Sequence, residues 1–424
     1  MNKKVLQEGI LRSLGPGILF AAASVGTSHL VQSTRAGADF GTGMALIIFI
    51  AMVIKYPAFQ FAPRYFVATG NSIVEGFARQ GSWALVLFCL ASVGTVFIGG
   101  AALLLVSSGI IKATFNLDVP LVNIAIALII FTITLLIIGR YHWLDLVMKG
   151  LVAVMALATI IATISIIPQI NWSQTVHLFP ERMDLPTIFF IAALVGWMPA
   201  PFEAAVMHSL WSQAKSRDTG HRASVHENYL DFHTGYLVTL FMALCFMLLG
   251  AGLMYQSGLS FENNAGGFAN QVISLYGQTL GTWSRPFIGL LAFIVMYSTV
   301  IAHMDGFSRI FRAIISEFRH LKQGHTVQPS TSNSGYVILL IIIGAGILSV
   351  LLFFLTSFKS LIDFATTLSF IMLPVYAILI HRSMTGPEIP DELLPGIMMQ
   401  RFSMLCNFLL LAFSLGYLYL LIIN

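Results

Sequence analysis

The stretch 23–29, Ala-Ser-Val-Gly-Thr-Ser-His, interrupts an apolar run long enough to cross a bilayer, and a second stretch does the same. The second is 196–203, Gly-Trp-Met-Pro-Ala-Pro-Phe-Glu, which places prolines and a carboxylate inside another long apolar run. A broken helix in lipid leaves backbone groups unpaired, at several kcal/mol for each group. Such breaks are tolerated where they line a solute site, and a pair of them in corresponding halves of a chain is typical of secondary transporters.

The composition places the chain in a membrane. Of its 424 residues 57% are hydrophobic and only 9% are charged, whereas soluble domains carry about 25% charged residues. Apolar runs long enough to span the roughly 30 Å hydrocarbon core recur along the whole sequence. We predict eleven spans, at 14–34, 43–63, 83–108, 120–139, 146–168, 186–211, 234–256, 286–306, 335–357, 361–381 and 402–423.

The distribution of Lys and Arg predicts the orientation of these spans. If the N-terminus is cytoplasmic, sixteen of the 22 basic residues fall in inner segments. The outer segments hold only five, namely Arg35, Lys112, Arg182, Arg285 and Lys359. This excess follows the positive-inside rule and predicts a protein of the plasma (inner) membrane with a cytoplasmic N-terminus and an external C-terminus.

Other function classes find little support in the sequence. The net charge is +4, and the basic residues are scattered over all inner loops, so we expect no nucleic-acid partner. The three cysteines lie within apolar runs without metal-binding spacing, and we expect no cofactor. Neither a His-Glu-x-x-His nor a Gly-x-Ser-x-Gly motif is present, so an intramembrane enzyme is a remote alternative. A channel also stays open, and for a transporter we expect a monomer surrounded by lipid to be sufficient.

The runs divide as five, five and one within a single all-α membrane domain, 1–424. The first repeat would span 14–168 and the second 186–381, with 402–423 as an additional helix. The first helix of each repeat is the interrupted one. Because an odd number of spans per repeat forces the repeats to face oppositely, we predict inverted repeats whose breaks meet near the midplane.

Glu203 is the strongest single candidate for function. A carboxylate at membrane depth is expensive unless it is paired or hydrated, and is a functional-site hypothesis by default. We expect it to bind a cation or to take up a proton. His29 follows the first break, where an imidazole can ligate a metal or relay protons, although it could equally donate to a carbonyl of the broken helix.

The remaining candidates surround the two breaks. In the first break, a flexible glycine and two hydroxyl residues would bind solute, namely Gly26, Thr27 and Ser28. In the second break, a tryptophan, a thioether and a proline would do so, namely Trp197, Met198 and Pro199. A thioether favours transition metals over Mg²⁺, so Glu203, His29 and Met198 form a candidate metal set.

Further polar residues lie inside later spans. His303 and Asp305 are candidates for coupling or gating, although Asp305 could instead pair with Arg309, four residues on. The role of Lys55 is open. The histidines between His208 and His233 could form a metal exit, but a solvated loop is the simpler interpretation.

Five sequence segments resemble the Nramp family of proton-coupled divalent-metal transporters. The first span carries 15–17 (Gly-Pro-Gly) and 36–41 (Ala-Gly-Ala-Asp-Phe-Gly), and the sixth ends at 208–210 (His-Ser-Leu). The eighth holds 304–307 (Met-Asp-Gly-Phe), and the tenth holds 368–370 (Leu-Ser-Phe). The resemblance implies the LeuT-type fold with eleven spans, in agreement with the count above.

The binding motifs of that family are altered here. Its metal-binding Asp-Pro-Gly-Asn falls on 26–29, so the ligating Asp becomes Gly26 and the Asn becomes His29. Its helix-ten Gln falls on Thr367, which we include among the candidate substrate-binding residues.

The sixth span departs as well. Counting back from the His-Ser ending, the family's Met ligand falls on Pro201 and its nearby His on Glu203. Aligning Met198 instead preserves a thioether but requires an offset of three residues. The family's acidic residues in helix three and its Arg residues in helix nine are also missing.

We therefore expect a secondary active transporter of a small cation that alternates access around the two breaks. Mn²⁺ or Mg²⁺ is the leading transported ion, with H⁺ as a candidate co-ion. Loss of the ligating Asp argues against tight binding of a dehydrated transition ion, because Glu203 with hydroxyls is a harder, oxygen-rich set. The alternative is the same scaffold carrying a small organic solute with ion coupling.

Overall fold

A computed structural model describes residues 15–255, 285–323, 334–354 and 358–423, together with scattered positions from 262 to 283. The described segments are helical and are numbered here in chain order: α1 (Pro16–Ser24), α2 (Thr34–Phe40), α3 (Ala45–Thr69), α4 (Ile73–Arg79), α5 (Ser82–Phe115), α6 (Leu121–Ile166), α7 (Trp172–Thr175), α8 (Leu185–Trp197), α9 (Glu203–Thr219), α10 (Val225–Leu253), α11 (Arg285–Gln323), α12 (Ser334–Phe354), α13 (Phe358–Met384) and α14 (Ile397–Ile423). A π-helical segment, Val25–Ser33, joins α1 to α2, and short 3₁₀ turns lie at Ile167–Gln169 and Asp391–Leu393.

Eight of the described helices have the length and apolar composition of membrane spans. Three predicted spans are not among them: the first and the sixth are divided into shorter pieces, and the fifth appears among the described residues only as the shorter stretch Ala156–Ile166. Both divisions fall where the sequence predicts them. Large apolar side chains face outward on the long helices, for example Phe353 at 86% exposure and Ile422 at 81%, as expected where lipid is the solvent.

One predicted boundary is wrong. The spans expected at 120–139 and 146–168 lie in a single continuous helix, α6, whose 46 residues would extend about 69 Å if straight. The six residues between the two predicted spans, 140–145, contain neither proline nor glycine, so nothing in them breaks the helix. The side chains of 139–149 lie outside the described part of the structure.

The segment 212–233, which lies between the sixth and seventh predicted spans, is also largely helical. Gly220, with φ of 67°, ends α9 in the left-handed conformation that glycine adopts without a steric penalty. A capping box between Ser224 and Glu227 then begins α10. Both helices therefore extend beyond their apolar cores.

Glycines allow α10 to pack tightly against both halves of the first span. A Cβ atom on Gly17 or Gly235 would overlap backbone of the facing helix where α1 meets α10. The same is true of Gly37 and Gly250 where α2 meets α10. Small residues at membrane helix crossings permit this close backbone approach, so α10 holds both ends of the broken helix.

Candidate functional site

The first break is centred on Gly26, whose ψ of −118° departs from helical geometry. Side chains satisfy the carbonyl groups that the break releases. The Ser24 carbonyl accepts from the Ser28 hydroxyl and lies 2.7 Å from Nδ1 of His29. The other ring nitrogen of His29 lies 2.8 Å from the Thr239 carbonyl on α10. His29 thus has backbone carbonyls at both nitrogens and is fully buried.

Gly26 is required by the approach of α11. A Cβ atom there would overlap the side chain of Thr299, whose hydroxyl donates to the Ala22 carbonyl at 3.3 Å. The position that the resemblance aligns with a metal-ligating Asp therefore faces the side chain of a neighbouring helix.

The second break extends from Met198 to Phe202, between α8 and α9. The Lys55 ammonium, from α3, donates to the carbonyls of Gly196 at 3.0 Å and Ala200 at 3.4 Å. The Ser28 hydroxyl contacts the Pro199 carbonyl at 3.4 Å. Buried backbone acceptors need such partners, and here they come from two different helices.

The two breaks lie against each other. Besides the contact from Ser28 to Pro199, the Ser33 hydroxyl lies 3.8 Å from the sulfur of Met198. Beside them is a cavity of about 70 Å³. Its lining combines residues of both breaks with residues of α5, α11 and α13: Ala23, Ser28, Thr95, Gly99, Leu103, Trp197, Pro201, Glu203, Ala204, Met207, Thr299, His303, Phe307 and Ser369.

Glu203 lines this cavity at the first residue of α9, with 2% exposure. One carboxylate oxygen, Oε1, accepts from the hydroxyls of Thr95 and of Tyr376, the latter at 2.9 Å. An acid at a helix N-terminus is also favoured by the helix dipole. The carboxylate is thus held by three helices and presented to the cavity.

Four of the predicted site residues line the cavity: Ser28, Trp197, Glu203 and His303. The Trp197 indole nitrogen donates to Ser369 at 3.0 Å, and Nε2 of His303 lies 2.8 Å from the Val96 carbonyl. These bonds orient the two rings. They join residues that are far apart in sequence.

The other predicted residues lie elsewhere. His29 and Gly26 contact neighbouring helices as described, and Pro199 contributes its backbone carbonyl. Met198 packs in a separate apolar cluster with Ala36 and Leu194, so the set Glu203, His29 and Met198 is not assembled around this cavity. The hydroxyl of Thr367 lies 3.3 Å from that of Tyr417 on α14. The Thr27 side chain lies outside the described part of the structure.

Asp305 belongs to a separate buried network. It accepts from the Trp211 indole at 2.9 Å, the Arg309 guanidinium at 2.8 Å and the Tyr336 hydroxyl at 2.7 Å. The pairing with Arg309 that the i, i+4 spacing suggested is present. These contacts tie α9, α11 and α12 together.

The histidine-rich region after α8 does not form one cluster. His208 is buried with Nε2 3.5 Å from Asp231, and Asp231 accepts from the backbone amides of Gly15 at 2.9 Å and Gly17 at 2.7 Å. His221 instead pairs with Glu227 at 3.2 Å. Asp231 therefore anchors the start of α1 to α10.

Sequence reasoning missed several lining residues and both hydroxyl donors to Glu203. Thr95, Tyr376, Thr299 and Ser369 are hydroxyl residues inside apolar runs, where such residues commonly pack without a role in binding. Their position near the middle of spans was the available signal. It could not identify which of many similar residues face the cavity.

Comparison with known proteins agrees with this architecture. Residues 17–420 match the family described as natural resistance-associated macrophage protein-like, or Nramp. The chain belongs to the Nramp family. An uncharacterized protein of Pasteurella multocida is 32% identical over 371 residues, covering 87% of this chain and 83% of that protein.

Solved structures show the same fold at low identity. A manganese transporter of Eremococcus coleocola superposes with a TM-score of 0.74 at 12% identity, covering 98% of this chain and 87% of that one. MhsT in complex with L-phenylalanine gives 0.66 at 13% identity, covering 95% and 97%. The protein is therefore an all-α integral membrane protein of the LeuT type, as the resemblance implied.

Proposed function

We propose that this protein is a secondary active transporter that moves a small divalent cation, Mn²⁺ or Mg²⁺, by alternating access. The observation that carries the proposal is the buried Glu203 carboxylate, which borders a cavity beside the two helix breaks. Membership of the Nramp family supports transport rather than enzymatic catalysis. The manganese transporter among the similar structures supports a metal cargo.

The size of the cavity favours an ion over a larger solute. A single water molecule needs roughly 10–15 Å³ of cavity volume. The cavity of about 70 Å³ would therefore hold an ion together with a few waters. Sites for drug-sized molecules measure about 300–1,000 Å³.

The donors around the cavity favour a partly hydrated, hard cation. Glu203 supplies a carboxylate, and Ser28, Thr95, Thr299 and Ser369 supply hydroxyl oxygens. Among the described residues no group of three or more His, Cys, Asp or Glu forms a conventional metal cage. Oxygen ligands with retained water suit Mg²⁺ and Mn²⁺. The thioether of Met198 lies outside the lining, but Met207 and His303 belong to it, so its donors are not oxygen atoms alone.

The two breaks supply the flexible points that alternating access requires. We propose that α1 and α9 move relative to the helices that hold them, with a cytoplasmic N-terminus and an external C-terminus as the Lys and Arg distribution predicts. H⁺ is the proposed co-ion. Because the mechanism needs only the cavity of one chain, we propose the lipid-embedded monomer as the transporting unit.

Uptake into proteoliposomes tests this proposal. Mn²⁺ or Mg²⁺ flux through the purified protein should saturate, and Glu203→Gln should reduce it at least tenfold, since a neutral amide cannot balance the charge of the ion. Glu392→Gln, at an exposed position, is the matched control and should retain normal flux. If the protein moves neither ion, with or without a pH gradient, the cation proposal is wrong.

A small organic solute is the second candidate. The rings of Trp197 and Phe307 and the side chain of Leu103 give the cavity apolar walls that would suit a hydrophobic body. A thermal-shift screen separates the two candidates. If an organic compound raises the melting temperature and divalent cations do not compete with it, the result favours an organic solute over a cation as the substrate.

A further inference from the structure

Lys55 is a buried cation for which neither the family resemblance nor the proposed ion site gives a role. It lies near the middle of α3, with no exposed surface. An ionisable residue at this depth is a functional-site hypothesis by default, because removing its charge from water is costly. Its surroundings indicate why the charge is present.

Three features of the second break converge on the Lys55 ammonium. It lies 3.0 Å from the Gly196 carbonyl and 3.4 Å from the Ala200 carbonyl, and 5.3 Å from the centre of the Phe202 ring. Each of these presents negative electrostatic potential, and an ammonium has three donors and no acceptor. A neutral amine would direct its lone pair at one of them.

The contacted backbone is the kind that binds free cations in transporters. Gly196 lies in the last turn of α8, where carbonyls lack helical partners and the helix dipole is negative. Unwound carbonyls and half-helix C-termini coordinate the coupling Na⁺ in transporters with broken helices. Here a side chain from α3 supplies the positive charge at such a position.

Hydrogen bonding alone does not require a lysine. At the first break the Ser24 carbonyl accepts from the neutral Ser28 hydroxyl, so a neutral donor can serve a backbone carbonyl of this kind. Within the described part of the structure the Glu203 carboxylate contacts Thr95 and Tyr376 rather than Lys55.

We propose that the Lys55 ammonium permanently occupies a monovalent-cation site at the second break, so that this transporter operates without Na⁺ there. The proposal rests on the proposed transport function only where it says that the transporter operates without Na⁺ at this position. The site itself can be tested by protein stability, with no transported substrate.

The experiment measures melting temperature in detergent for wild type, Lys55→Ala and Lys55→Met. Titrations use NaCl, KCl, NH₄Cl and N-methylglucamine chloride at constant ionic strength. Lys55→Ala removes the ammonium from the Gly196 and Ala200 carbonyls. This variant should therefore show a saturable rise in melting temperature with Na⁺ or NH₄⁺. Wild type and Lys55→Met, in which the space stays filled, should respond equally to all four salts.

Two results would overturn the proposal. One is a saturable, selective stabilisation of wild type by Na⁺, which would require a free site. The other is a folded Lys55→Ala protein that responds identically to every cation.

Lys55→Gln provides a test if Lys55→Ala does not fold. Its amide can donate to the same carbonyls without charge, and we expect a clear loss of melting temperature relative to wild type. Wild-type stability in Lys55→Gln would show that charge is unnecessary and would also refute the proposal. If uptake of Mn²⁺ and Mg²⁺ is absent while the cation response of Lys55→Ala is present, the transport proposal fails and this one stands.

Discussion

Replacing Gly26 by alanine tests whether the first break is shaped by its contact with α11. A Cβ atom at Gly26 would lie 2.7 Å from Cβ and 2.9 Å from Cγ2 of Thr299, with a closer overlap on the hydroxyl. Overpacking of this kind typically costs about 1–3 kcal/mol. We therefore expect Gly26→Ala to lower the free energy of unfolding by about 2 kcal/mol.

A double-mutant cycle isolates the contact. Thr299→Gly removes all three overlapping atoms, so Gly26→Ala should cost far less in that background, with a coupling energy of about 0.5–3 kcal/mol. Thr299→Ala should relieve the overlap only in part, because the Cβ at 2.7 Å remains.

Chemical unfolding in mixed detergent micelles provides the measurement. Gly416→Ala on α14 is the matched control, since a Cβ atom there meets nothing within 4 Å. It should be neutral or stabilising by up to about 1 kcal/mol, the helix-propensity difference between the residues. If Gly26→Ala costs the same with and without the Thr299 side chain, the steric explanation of this glycine is refuted.

Two further substitutions test the anchors around the site. Asp231→Asn should destabilise the protein by about 1.5–3 kcal/mol and accelerate hydrogen exchange of the Gly15 and Gly17 amides, because one of two charge-assisted bonds to α1 is lost. Asp118→Asn, at an exposed position, is its control, and unchanged exchange at those amides would contradict the anchor. Asp305→Asn should cost about 3 kcal/mol, since it places an amide donor among the Trp211, Arg309 and Tyr336 donors. Tyr336→Phe, which removes a single bond, should cost about half as much by the same thermal or chemical unfolding measurement, and equal costs would argue against a shared network.

The local features of the fold were predictable because they depend on nearby sequence. The prolines at 199 and 201 disrupt a helix wherever it packs, and Gly26 next to two hydroxyl residues marked the first break, so both breaks could be located in advance. The continuous α6 was not anticipated, because apolar runs separated by polar residues look like two spans even when no helix breaker lies between them.

The site was predictable only in part. Glu203 stands out because a carboxylate in an apolar run is rare and costly. His29 carries an equally conspicuous side chain, yet it lies with both nitrogens against carbonyls of α1 and α10. Which way an imidazole points depends on the rotation and contacts of helices distant in sequence.

The sequence by itself determined that this chain lies in a membrane, where its helices break and that Glu203 beside the second break is a buried carboxylate, since these follow from hydropathy and backbone chemistry. The tertiary structure alone decided which hydroxyls hold Glu203, that Thr299 fills the space beside Gly26, and that Lys55 reaches the second break. Those contacts join helices separated by up to 273 positions, as between Gly26 and Thr299, and no local pattern encodes which faces will meet.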